Sequence, residues 1–184
     1  MKAILMSIRP QHLANILNGK KTIEIRKTIP KCELPIDVYL YCTKGKPLIR
    51  LPTNDKKEWL MTVPYGWYVW RDDKGFNGKV VAKFTLNKIE DCCDMSLPEL
   101  ENKSLLNINE ICSYIKAKEV DPKMVYAWHI SKLEIFDEPM ELNEFYKIKY
   151  RTEFEERYIP IKQAPQSWQY IYIRRANRWE SYLF

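Results

Sequence analysis

The stretch GKKTIEIRK, Gly19 to Lys27, combines the alternation of a half-buried strand with a high density of charge. Ile23 and Ile25 alternate with Glu24 and Arg26, and successive side chains of a strand point to opposite faces. The isoleucines must face the core, so a carboxylate and a guanidinium share the other face. That face is either an exposed surface with an ion pair worth ~0–1 kcal/mol, or the polar floor of a cleft.

Other polar side chains extend the same face. Thr22 has the parity of the charged pair, Lys21 stands at the entry of the strand, and Ser7 and Arg9 share a face of the preceding strand. Arginine and lysine donate hydrogen bonds and glutamate accepts from an amino group, which is the chemistry that reads the edge of a nucleobase. The pattern therefore predicts a cleft for a base if these side chains point inward.

Strand patterns dominate the rest of the chain. Proline suits a first helical turn and glycine a helix end, so a short helix is predicted from Pro10 to Gly19. The predicted strands are Ala3–Ile8, Ile36–Cys42, Gly78–Glu90, Val125–Phe136, which Pro139 closes, and 165–173. Ser96–Lys118 is predicted to be helical, and 142–147 a short helix. Strands without alternating crossover helices indicate an antiparallel, partly closed barrel.

The run S-I-R-P, followed by G-K-K-T-I-E-I-R, resembles the ASCH domain family. The hallmark of that family is G-x-K-x-x-E-x-R, matched here by Gly19, Lys21, Glu24 and Arg26. Three later segments are similar to the C-terminal parts of bacterial and phage-encoded members: Asn77–Val81, Tyr126–Ile130 and Pro165–Trp168.

The resemblance implies an α+β fold: a PUA-like mixed, mostly antiparallel β-barrel with a short helix after the first strand and further helices around it. We expect a single domain over 1–184. It would carry an aromatic-rich insertion around 46–77 and a basic aromatic tail over 174–184. The insertion either caps the cleft or binds another protein, as in a phage-type accessory protein.

The resemblance also implies RNA or a nucleotide-like small molecule as partner. The expected ligand-binding residues are Ser7, Arg9, Lys21, Thr22, Glu24, Arg26, Tyr126 and Trp128. The alternative is a hydrolase, either an amidohydrolase of acylated cytidine or a ribonuclease. Lys21 would then activate a nucleophile or water and Glu24 would act as acid and base. Glu24 stands where the amidohydrolase branch places a catalytic threonine, which argues against that activity.

Two histidines and an aromatic strand complete the candidates. Tyr126 and Trp128 share a face of their strand and form either a packed core or a wall on which a base stacks. His129 points the other way and is interpreted as a buried structural residue unless the fold brings it to Lys21 and Glu24. His12 is expected to face solvent on the short helix.

The composition limits the function further. The 184 residues carry a net charge of +6 and a pI of about 8.9, a mild bias that is compatible with nucleic acid. Five cysteines without a C-x-x-C pair or a signal peptide indicate reduced thiols and a cytoplasmic location. We expect no cofactor and no metal, because the spacing of Cys92, Cys93 and Cys112 does not suit zinc. No apolar run reaches the ~20 residues of a membrane span.

Overall fold

The computed structural model describes residues 1–46, 48–52, 57–60, 75–115, 125–152 and 155–173. Most of the predicted insertion and all of the tail over 174–184 lie outside these ranges. The elements are β1 Lys2–Ile8, α1 Pro10–Leu17, β2 Ile23–Arg26, β3 Ile36–Cys42, β4 Ile49–Pro52, β5 Lys57–Leu60, β6 Val80–Leu86, β7 Ile89–Asp91, α2 Leu97–Ser104, α3 Ile108–Ile115, β8 Tyr126–His129, β9 Ser131–Met140, β10 Phe145–Arg151, β11 Glu156–Pro160 and β12 Trp168–Ile173.

The main sheet has seven strands in the order β11-β10-β12-β1-β3-β6-β9. β1 lies near its centre, antiparallel to β12 and parallel to β3. The other pairings in this sheet are antiparallel. The prediction of a mixed, mostly antiparallel α+β fold is confirmed. In the described ranges the sheet ends at β11 and β9, so the predicted barrel is not closed there.

A second sheet has the order β2-β8-β7. Only Ile130 separates β8 from β9, so the chain passes directly from the small sheet into the main one. The principal core lies between the two sheets and α1, with Trp128 at its centre. Ile23 and Ile25 pack on the opposite face of the small sheet, against α2 and α3. β2 is therefore covered on both faces.

Three local predictions need correction. The predicted helix over Ser96–Lys118 is interrupted between α2 and α3, where Leu105 adopts a left-handed φ of 53°. Pro139 lies inside β9 rather than closing it, which is tolerated because β9 is an edge strand and its free side needs no N–H donor. The segment 142–147 forms only a short 3₁₀ turn over Leu142–Glu144 before β10 begins.

Candidate functional site

The charged face of β2 points between the two sheets. β2 and β8 pair antiparallel, so that Glu24 lies opposite Trp128 and Arg26 lies opposite Tyr126. Directly opposed residues of two strands put their side chains on the same face. Because Trp128 belongs to the core between the sheets, the carboxylate of Glu24 and the guanidinium of Arg26 also lie between the sheets and not on the outer surface.

Lys21, Glu24 and Arg26 form one cluster, the β2 triad. Lys21 Nζ lies 3.4 Å from Glu24 Oε2, and Arg26 Nη2 lies 3.1 Å from Glu24 Oε1. Lys21 is 2% exposed and Arg26 7%, and the Glu24 side chain is 12% exposed. Two cations thus flank one carboxylate in a largely dehydrated place, and the triad keeps a net charge of +1.

Arg26 ties β2 to two other parts of the chain. Its Nη2 donates to the carbonyl oxygen of Ser7 at 3.0 Å, and its Nη1 donates to Ser167 Oγ at 3.1 Å. Ser7 in turn donates its hydroxyl to the carbonyl of Pro165 at 2.6 Å and its amide to that of Ser167 at 2.9 Å. Ser7 is therefore buried as a structural link, and Arg26 is a positioning residue for Glu24.

Lys21 ties β2 to the end of α2. Its ammonium donates to the carbonyl oxygen of Ser104 at 2.6 Å, a contact that spans 83 residues of sequence. Ser104 is fully buried, and its hydroxyl accepts from the amide of Leu106 at 3.2 Å. Lys21 thus stabilises the interruption between α2 and α3, and this carbonyl, together with Glu24, holds its ammonium inside the protein.

Glu24 retains binding capacity within this network. Its Oε2 atom is buried and has no hydrogen-bond partner among the described residues, although Lys21 neutralises it from 3.4 Å. Buried acceptors are usually hydrogen-bonded, and an unfilled one marks a place for a water or a ligand donor. The Glu24 side chain as a whole is 12% exposed, so a water or a ligand donor would reach Oε2 only by displacing part of its cover. The triad thus presents one acceptor on a cationic floor.

His12 on α1 is the residue that the sequence misplaced. It is half-buried rather than solvent-facing. Burial lowers the pKa of His12, Glu24 opposes that shift, and Lys21 and Arg9 add to it. Two members of the β2 triad, Lys21 and Glu24, are therefore among its electrostatic neighbours. His12 precedes Leu13, on the edge of the apolar helix face, and this position was the available sign of partial burial.

The remaining predicted ligand-binding residues are divided between surface and core. Arg9 is exposed at the start of α1, and Thr22 is exposed just before β2. Tyr126 is half-buried. Trp128 is fully buried and packs against Trp168 with ring centroids 5.5 Å apart. A base cannot stack directly on Trp128 in this arrangement, so the core interpretation holds for it.

His129 belongs to a different cluster. It lies on the face of β8 opposite Trp128 and is paired with Glu90, which Lys88 also contacts at 2.5 Å. The hydrogen bond from Lys88, helped by His129, lowers the pKa of Glu90. His129 is therefore engaged away from the β2 triad. In the described part of the chain, no group of three His, Cys, Asp or Glu side chains is placed to hold a metal ion.

The comparisons with known proteins give the fold. No family model and no curated protein matches the sequence. The crystal structure of ASCH from Zymomonas mobilis is similar, with a TM-score of 0.54 and 17% identity over 91% of this chain and 85% of that one. A tyrosine-to-phenylalanine mutant of that protein gives 0.54 and 17% over 92% and 89%. A serine-to-alanine mutant gives 0.54 and 16% over 91% and 86%.

Each of these likenesses covers more than 90% of this chain. The resemblance of the Ser7–Arg26 run to ASCH domains is thus confirmed at the level of the fold. Among the described residues, no helix is both long and apolar enough to cross a membrane.

Proposed function

We propose that this ASCH-fold protein binds RNA and receives a nucleobase or a short RNA segment above Glu24, between β2 and α1. The observation that carries the proposal is the β2 triad, in which two buried cations hold a carboxylate whose Oε2 atom lacks a hydrogen-bond partner. A fixed carboxylate accepts from the amino group of a base, and the residual positive charge attracts phosphate.

The roles within the site differ from residue to residue. Lys21 and Arg26 donate to backbone and side-chain groups of the protein. They therefore position Glu24 and contribute positive electrostatic potential rather than direct hydrogen bonds to the RNA. Arg9 and Lys20 are exposed on either end of α1 and are the cations available to phosphates. Phosphate contacts position an RNA on the protein, whereas the contact of Glu24 with a base gives a preference for particular bases.

RNA binding is tested by fluorescence anisotropy with a short single-stranded RNA, at a temperature at which every variant is folded. We expect Glu24→Gln to weaken binding about tenfold, because it alters one base contact. Arg9→Gln is expected to lower the slope of log affinity against log salt by about 1. Glu99→Gln, an exposed carboxylate on α2, is the matched control and should leave affinity unchanged.

Two results contradict the proposal. The first is the absence of RNA binding at low salt, where electrostatic attraction is greatest. The second is equal RNA affinity of the Glu24→Gln and Glu99→Gln variants, because the carboxylate of the triad would then make no contact with the RNA.

A second candidate function is hydrolysis of an acylated cytidine or of RNA in the same cleft. The observation that favours it is His12, which burial keeps neutral near Glu24 and Lys21. A neutral imidazole can take a proton from water as the water attacks an acyl carbonyl, or from a ribose 2′-hydroxyl. Incubation with each substrate, followed by mass spectrometry, tests this activity. Product that is lost with His12→Gln supports it, and either no product or unchanged turnover in that variant contradicts it.

A further inference from the structure

A pocket opens on the face of the main sheet that lies away from the β2 triad. Its volume is about 500 Å³, within the range of roughly 300–1,000 Å³ that is usual for small-ligand sites. Three segments form its walls: the region around the end of β3 with Gly78, the turn before β10, and residues 161–164. Tyr41 and Ile161 belong to the hydrophobic cluster on that face, whereas the core beside the β2 triad lies on the opposite face.

The pocket is rich in hydrogen-bond donors. Lys44 and Lys162 bring ammonium groups to its wall, and Asn143 and Gln163 bring side-chain amides. The Tyr41 side chain is largely buried, and burial raises the pKa of its phenol. The hydroxyl therefore keeps its proton at neutral pH and remains a donor.

Among the described residues that line the pocket, Glu141 is the one carboxylate, and it is already engaged. Glu141 Oε1 lies 2.8 Å from Lys79 Nζ, and the Glu141 side chain also accepts from the backbone of Glu144 in a capping box. The charge of Glu141 is thereby balanced within the protein. Lys44 and Lys162 then give this pocket a positive character, which suits an anion.

We propose that this pocket binds a phosphate group, supplied either by a free nucleotide or by an RNA backbone. Two ammonium groups, two amides and a phenol match the several acceptor oxygens of a phosphate, and hydrogen bonds to a charged acceptor are roughly twice as strong as neutral ones. The inference concerns a different set of residues from the β2 triad and does not depend on the role of Glu24.

One segment of chain connects this pocket to the triad. Gln163 and Ala164 line the pocket, and the next residues are fastened to the other site, since Pro165 accepts from the Ser7 hydroxyl and Ser167 from Arg26. A phosphate held at 162–164 therefore contacts the same segment that supports Arg26. Binding in the pocket should therefore be detectable at residues 162–164 and also at residues 165–167.

The test is a titration followed by amide chemical shifts, with inorganic phosphate, a nucleoside monophosphate and a single-stranded RNA as separate ligands. We expect shifts at Gly78 and Ala164, and an affinity that falls about tenfold in the double variant Lys44→Gln and Lys162→Gln. Lys149→Gln on β10 removes one lysine charge at an exposed position outside the pocket and should leave these shifts unchanged.

The arms of the experiment distinguish the two sources. Saturable shifts with the monophosphate identify a nucleotide site, and shifts with RNA alone identify a backbone site. No shift at Gly78 and Ala164 with any of the three ligands overturns the proposal, as does a double variant that binds as well as Lys149→Gln. The shifts at Gly78 and Ala164 are measured separately from the effect of Glu24→Gln on RNA affinity, so each proposal can fail without the other.

Discussion

Two clusters in the same three-stranded sheet have nearly the same composition and opposite surroundings. Glu24 lies between Lys21 and Arg26 on β2, and Glu90 lies between Lys88 and His129 on β7 and β8. In the first cluster the lysine side chain is 1% exposed. In the second cluster it is 57% exposed. A glutamate between two basic side chains therefore does not by itself indicate a binding site. The two clusters differ in how deeply these side chains are buried.

Burial makes the β2 triad depend on the rest of the fold. Removing charges from water is unfavourable unless further hydrogen bonds compensate for the lost hydration. The protein supplies them through the carbonyls of Ser7 and Ser104 and the hydroxyl of Ser167. The cluster around Glu90 is partly hydrated and has less need of such support. Of the two clusters, only the β2 triad is thus dehydrated and held in place by hydrogen bonds to distant parts of the fold.

The largest expected difference between the clusters is in stability. Glu24→Gln leaves two buried cations without their counter-charge and should lower the free energy of unfolding by about 3 kcal/mol. Glu90→Gln, in the half-exposed cluster, should lower it by no more than ~1 kcal/mol. Urea unfolding of both variants measures the contrast. Equal losses would show that the β2 triad is as hydrated as the cluster around Glu90.

A smaller effect is expected from the support of Arg26. Ser167→Ala removes the acceptor of Nη1 at 3.1 Å and should lower the free energy of unfolding by about 1–2 kcal/mol, because the donor is charged and partly buried. Lys88→Ala, at the exposed end of the other cluster, should change it little. Urea unfolding again gives the measurement, and an unaffected Ser167→Ala protein would mean that solvent replaces the lost hydroxyl.

The smallest expected effect is in the pH dependence of stability. His12, beside the β2 triad, and the cluster around Glu90 should lose their contributions to stability in different pH ranges. Burial lowers the pKa of His12 below 6.5, so its neutral form is favoured in the folded protein. The associated stability is present above pH 6.5 and is lost as pH falls through the folded pKa. Glu90, with a pKa lowered below 4.5, loses its contribution only at more acid pH.

Thermal melting between pH 7.5 and 3 measures both steps. His12→Gln should flatten the change that begins near pH 6.5, and Glu90→Gln should flatten the change below pH 4.5. A His12→Gln profile that is identical to that of the parent protein would contradict the burial of this imidazole beside the triad.

The sequence predicted the local part of the site. Period-two alternation of Ile23 and Ile25 indicated one buried face of β2. Pro10 and Gly19 marked the beginning and the end of α1, and Gly19 has a φ of 69°. Local periodicity is sufficient for such elements because it depends on neighbours in sequence. Parity alone left open whether Glu24 faced solvent or the interior, because that depends on the second layer of structure that covers the strand.

The sequence did not predict what the cations contact. Lys21 and Arg26 were expected to donate to a ligand, and they donate to Ser104 and Ser167, which are 83 and 141 residues away. Such partners depend on how two sheets and a helix pair are assembled, and no spacing rule contains that information. The prediction of a partly closed barrel was not met in the described ranges for the same reason, because closure of a barrel depends on the register of strands that are distant in sequence.

The position of β1 has a consequence for biosynthesis. β1 is synthesised well before its antiparallel neighbour β12, and the hydrogen bond from Ser7 to Pro165 spans 158 residues. Contacts between residues so far apart in sequence form slowly, because the entropic cost of closing a long loop precedes the stabilisation that the contact provides. A nascent chain on the ribosome that has not yet reached residues 165–167 cannot form the hydrogen bonds from Ser7 to Pro165 and from Arg26 to Ser167, so β2 would be without part of its support.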